Sequence, residues 1–100
     1  MAEMPIILSV TIEAVQGRET ELATILSGLV EPTLAEPGCL GYELNASQEA
    51  PGTFLFYEKF AGQAALEDHV NSTHFQKFLN VRSKSDPIRK QTVVRWSLIA

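Results

Sequence analysis

The chain has 100 residues, with twelve Asp or Glu against eight Lys or Arg, a net charge of −4 and an apolar fraction of 45%. That length makes one domain, residues 1–100, able to bury roughly 60–65% of the surface its unfolded form exposes. No apolar run nears the roughly 20 residues a bilayer crossing needs, and the basic residues of the last third form no dense run and have few interleaved aromatics, so neither a membrane nor nucleic acid is the expected partner. Met1-Ala-Glu-Met-Pro5 has neither the basic nor the long apolar region of a signal peptide, which makes the cytoplasm the expected compartment. Cys39 is the single cysteine, which excludes an internal disulfide and a cysteine metal cage within one chain. Nothing near it in sequence supplies a base, so it reads as apolar filler.

Residues 5–13 alternate, with Ile6, Leu8, Val10 and Ile12 on one face and Ile7, Ser9, Thr11 and Glu13 on the other, which predicts a β-branched strand. After Gly17 the spacing of Leu22, Ile25, Leu26 and Leu29 is helical, and Glu19 and Glu21 suit the positive end of the helix dipole. Pro32 removes a backbone donor, so the helix should kink or restart there, and Pro37-Gly38 ends it. A second strand over 39–45 places Leu40, Tyr42 and Leu44 on one face. The turn-rich stretch 46–52 joins it to a third strand, Thr53 to Phe60, as an antiparallel hairpin.

A helix from about Gly62 should bury Leu66, His69 and Val70. A capping box of Thr73 and Gln76 opens a further helix with Phe75, Phe78, Leu79 and Arg82 along one stripe, and Asp86-Pro87 ends it. Residues 90–99 form the last strand. The order βαββαβ, with the second α split, predicts an α+β ferredoxin-like sheet. Helices on one side would leave an apolar face open on the other, whichever face they cover, because strand 1 shows Ile7 or Leu8 there and strand 4 Val93 or Val94. Such a face is an association surface. Charge is also split: residues 1–68 carry eleven acids and two bases, and residues 69–100 six bases and one acid. Two copies docking tail onto body account for this, and so does a merely solvated surface.

Three blocks place polar groups among large apolar residues: Glu36-Pro-Gly-Cys-Leu-Gly-Tyr-Glu43, Tyr57-Glu58-Lys-Phe60, and Leu66-Glu-Asp-His69-Val-Asn-Ser-Thr-His74-Phe75. Strand 3 sets Glu58 on one face with Phe54, Phe56 and Phe60, where an ionised carboxylate needs a partner or a raised pKa. His69, on the inward stripe of the next helix, is the available partner. A Glu58–His69 pair would fix the imidazole tautomer for a general base, or simply tie helix to sheet. His74 falls about 140° from His69 on a continuous helix, so the two do not form a chelating i, i+4 pair. His74 is then a solvent-side residue or a donor at the pocket rim. Tyr42 is either packed in the core or a hydrogen-bond donor to a bound phenol or quinone. There is no dinucleotide loop, P-loop, serine elbow or metal-ligand cluster in the sequence.

The Tyr, the Glu and the two His, in this order and spacing, resemble the antibiotic biosynthesis monooxygenase family, which includes quinol monooxygenases. The resemblance implies a dimeric α+β barrel, two sheets pairing as a homodimer. It also implies oxidation of a small aromatic phenol or hydroquinone by O2 without cofactor or metal, the deprotonated substrate itself passing an electron to O2. On that basis His69 and Glu58 are the catalytic candidates, and Tyr42, Phe54, Phe56, Leu66, His74, Phe75 and Phe78 line the substrate site. Haem-degrading relatives are not matched, since Leu79, Phe60 and Ser9 stand near the positions of their ligand His, Trp and Asn. An autoinducer-processing isomerase on the same scaffold shares the Glu and His and stays open, as does a non-catalytic binding module.

Overall fold

The computed structural model describes residues 4–100. Elements follow as β1 (Ile6–Ala14), α1 (Glu19–Ser27), α2 (Val30–Leu34), β2 (Cys39–Ala46), β3 (Thr53–Phe60), α3 (Gln63–Val70), α4 (Thr73–Lys84) and β4 (Ile88–Trp96). The strands form one antiparallel sheet in the order β2-β3-β1-β4. This is the ferredoxin-like α+β arrangement, with both helical connections divided in two. None of the described helices is long and apolar enough to cross a membrane.

Local chemistry sets the boundaries. Gly17 takes a left-handed φ of 88°, and its N–H donates to both carboxylate oxygens of Glu19 at 2.9 and 2.8 Å, which starts α1. The helix breaks at Gly28–Leu29, ahead of Pro32, and Pro32 then falls in the first turn of α2, where its missing N–H has no intrahelical acceptor to lose. The cap of α4 is Ser72, not Thr73: its hydroxyl accepts the Phe75 N–H at 3.3 Å, and the Gln76 side chain donates to the Val70 carbonyl instead. Strand β4 starts at Ile88, whose N–H is held by the Asp86 carboxylate. It stops at Trp96, opposite Ile7.

One strand departs from simple alternation. Cys39 pairs with Phe60 and Gly41 with Lys59, so Leu40 is an extra residue at a bulge. Leu40 is therefore turned out and 56% exposed, rather than sharing the buried face of Tyr42.

The register fixes which face the helices cover. Leu8 stands opposite Glu58, Val10 opposite Phe56 and Ile12 opposite Phe54, and this face packs on Leu22, Leu26, Leu29 and Phe78. The opposite face carries Ser9, Thr11, Leu55, Tyr57, Val94 and Trp96, the last four exposed, with the Trp96 indole donating to the Ser9 hydroxyl at 2.7 Å. Phe60 has no exposed surface, and its ring lies 5.0 Å from that of His69. Phe60→Ala should cost about 3–5 kcal/mol, the scale for a truncated buried phenylalanine, read from urea unfolding midpoints.

Candidate functional site

Alternation on β1, β2 and β3 sends Leu8, Val10, Tyr42, Phe56 and Glu58 toward the helices, and these meet Leu66, His69, Phe75 and Phe78 around a cavity of about 170 Å³. An apolar cavity of about 150 Å³ accepts benzene, so this one matches a single aromatic ring with small substituents. Its mouth is marked by Val70, Leu79 and Val93, which line it yet are 39, 38 and 53% exposed. Arg82 also reaches the lining. Its guanidinium lies 5.8 Å from the Phe78 ring centre and is held by Asp86 at 3.1 Å and Gln91 at 3.0 Å.

Tyr42, Phe56, Glu58, Leu66, His69, Phe75 and Phe78 thus share one hollow. Phe54, two residues before Phe56, belongs to the core but not to this cavity. His74 lies outside the cavity as well, on a separate surface hollow with Leu29 and Lys77.

The polar centre differs from the pairing expected from sequence. His69 bonds through Nδ1 to Glu36 Oε2 at 2.9 Å, and His74 bonds through Nε2 to the same oxygen at 2.6 Å. Glu58 is not the partner: among the described residues its carboxyl makes no side-chain hydrogen bond, although it lines the same cavity. The reason is the turn after α2. Gly38 packs so closely on α3 that an added Cβ would come within 2.4 Å of the Ala65 Cβ, and the Gly38 carbonyl accepts the Ala61 N–H at 2.8 Å. This contact clamps Glu36, two residues earlier, beside the end of α3.

The two histidines converge because the chain is not one helix there. α3 stops at Val70 and α4 restarts after Ser72, so the 140° separation of a continuous helix does not apply. The donor atoms of Glu36, His69 and His74 all lie within 4.8 Å of one another.

The His69 ring is walled by aromatics, with centroids 4.9 Å from Phe75, 5.0 Å from Phe60 and 5.5 Å from Tyr42. A carboxylate accepts and does not donate, so the bond to Glu36 puts the ring proton on Nδ1 and leaves Nε2 with its lone pair. Nε2 makes no hydrogen bond to any described residue. Burial pushes the Glu58 carboxyl up to about 7, and the negative charge of Glu36 pushes the same way. The Tyr42 phenol is also held well above its ordinary value, first by burial and then by the charge of Glu58, so it stays a neutral donor.

The sequence model of the family described as "Antibiotic biosynthesis monooxygenase" matches residues 5–81. The chain belongs to that family. Among solved structures, PA3566 from Pseudomonas aeruginosa superposes with a TM-score of 0.93 at 30% identity, over 100% of this chain and 99% of that one. Protein sll1783 of Synechocystis is 27% identical over 99 residues, which are 99% of this chain and 66% of the relative. Rv0793 of Mycobacterium tuberculosis is 33% identical over 63 residues, 63% of this chain and 58% of the relative. The chain therefore spans less than two thirds of the length of these two curated relatives.

For this member of the family, sequence reasoning missed Glu36 as the histidine partner and Arg82 as a mouth residue. The one available signal for Glu36 was its place before Pro37-Gly38, where a turn fixes a side chain without giving it a face.

A carboxyl whose pKa is raised on folding is stabilising while protonated, and that contribution fades as pH climbs from the ordinary carboxylate range through about 7. Native stability should accordingly fall between pH 5 and pH 8 through Glu58. Glu58→Gln, which mimics the protonated acid, should match the parent at pH 5 and exceed it at pH 8, by up to about 3 kcal/mol. Urea unfolding at both pH values measures the difference, and parallel curves for the two proteins would contradict the assignment.

Proposed function

We propose that the chain is a cofactor-independent monooxygenase acting on a small phenol or hydroquinone with O2. The observation that carries this reading is the Glu36–His69 hydrogen bond beside a cavity of one-ring size. It is supported by the family to which the chain belongs. His69 is the general base: Glu36 fixes its tautomer, and Nε2 takes the proton of a substrate hydroxyl. Glu36 thereby takes over the orienting part expected of Glu58. Glu58, protonated below about pH 7, and Tyr42 donate to substrate oxygens and stabilise the anion in a site with little water. Phe56, Leu66, Phe75 and Phe78 hold the ring.

The anion gives one electron to O2, and the resulting radical pair combines at a ring carbon. Loss of water then leaves a carbonyl. Atoms balance as hydroquinone plus O2 giving hydroxyquinone plus water, the substrate supplying the electrons. A homodimer across the helix-free sheet faces completes the proposal, with Leu55, Tyr57, Val94 and Trp96 as its apolar contacts. Static light scattering at micromolar concentration should give twice the chain mass, and a stable monomer would remove this part.

Metal-stripped protein should consume oxygen when given a hydroquinone panel. His69→Ala should lower turnover by roughly 10²-fold or more with the circular dichroism spectrum retained. Glu36→Gln, which keeps an acceptor but loses the charge, should fall between the two. Full activity in His69→Ala would sink the assignment of the base. Conversion without oxygen would favour an isomerase, and ligand recovered unchanged after aerobic incubation would favour a binding module.

A further inference from the structure

The Glu36–His69–His74 cluster has features that hydrogen bonding alone leaves unused. Two imidazole nitrogens from different helices converge on one carboxylate oxygen, at 2.9 and 2.6 Å. The other oxygen, Glu36 Oε1, is buried and has no hydrogen-bond partner among the described residues, which is a costly state for a carboxylate. We propose that Glu36, His69 and His74 form a binding site for a divalent first-row transition-metal ion.

The donor set selects the class of ion. Two imidazoles and one carboxylate suit Zn2+, Co2+ or Ni2+, whereas Mg2+ and Ca2+ require oxygen ligands throughout. With metal–ligand bonds of about 2.0–2.1 Å, adjacent donors of a tetrahedral site stand about 3.4 Å apart. The three atoms, at 2.6 and 2.9 Å and all within 4.8 Å of one another, bracket that spacing, and a small rotation of the Glu36 carboxylate opens the room. The unpartnered Oε1 then becomes a second contact to the ion or an acceptor for the water at the fourth position.

Side-chain exposure climbs from 3% at His69 through 12% at Glu36 to 21% at His74, which gives an ion a route in from the surface without opening the core.

Occupancy would also change His69. A neutral ring bound to metal through Nδ1 carries its proton on Nε2, so the ion-bound state and the general base are alternative states of one residue. That consequence rests on the proposed catalytic role, but the binding site does not.

The test uses protein freed of metal by chelation and titrated with Co2+, followed by visible absorption and by calorimetry. One equivalent should bind, with the d–d bands of a low-coordinate nitrogen–oxygen site, and Zn2+ should displace it. His74→Ala and Glu36→Gln should each weaken binding by at least about tenfold, the lower end of what even outer-shell changes cost a metal site. Circular dichroism of each variant establishes that it is folded, and His74, partly exposed, is the substitution least able to disturb the core. Absence of saturable binding at one equivalent, or affinity unchanged in both folded variants, would overturn the proposal and leave a hydrogen-bonded triad. Neither outcome depends on a substrate or on oxygen uptake, so a failure here is distinct from a failure of the oxygenase assignment.

Discussion

A single carboxylate oxygen, Glu36 Oε2, joins segments separated by 33 and 38 residues in the chain: the turn after α2, the end of α3 and the start of α4. Most of the site's geometry depends on that meeting. The bond to His69 sets which ring nitrogen carries the proton, and the bond to His74 adds to the Gln76–Val70 hydrogen bond in holding the junction of the two short helices. Buried acceptors of this kind are expensive to leave unpaired, so the junction cannot drift without cost. The close contact of Gly38 with Ala65 supplies the rigidity at the other side, since no side chain intervenes between turn and helix.

The cavity follows from packing. The gap lies between the sheet face and the two helices, lined by Leu66, His69 and Val70 of α3 and by Phe75, Phe78 and Leu79 of α4. Phe60, Phe75 and Tyr42 surround His69 and keep the polar centre in an aromatic wall. The edge near β4 is uncovered, which explains why Val93 lines the cavity and is still half exposed. The result is a hollow with an apolar interior, a polar floor and a mouth guarded by an arginine that is already satisfied by Asp86 and Gln91.

The electrostatics of the floor separate the two acids. Glu36 has two imidazole partners, while Glu58 has none among the described residues and has its pKa raised to about 7 by burial and by the charge of Glu36. Like charges so placed favour one ionised and one neutral carboxyl, a division of labour between acceptor and donor that a pair of equivalent acids in water would not show.

The sequence by itself determined the strands and the order of the elements, and which residues share a face of each strand, because side-chain alternation is a local property with a period of two residues. Both faces of β1 and β4 are apolar enough that only the packed structure decided which one the helices cover. The same local periodicity put Tyr42, Phe56, Glu58, His69, Phe75 and Phe78 on inward stripes, but it put Phe54 there equally, and the cavity does not include Phe54. The bulge at Leu40 was not legible, because only the pairing of Cys39 with Phe60 reveals the extra residue. Only the tertiary structure decided the partner of His69. A turn residue such as Glu36 has no periodic face, and its direction is set by how closely Gly38 lets the turn approach α3. Periodicity says which way a side chain points within a helix or strand, but the packing of separate elements decides what it meets.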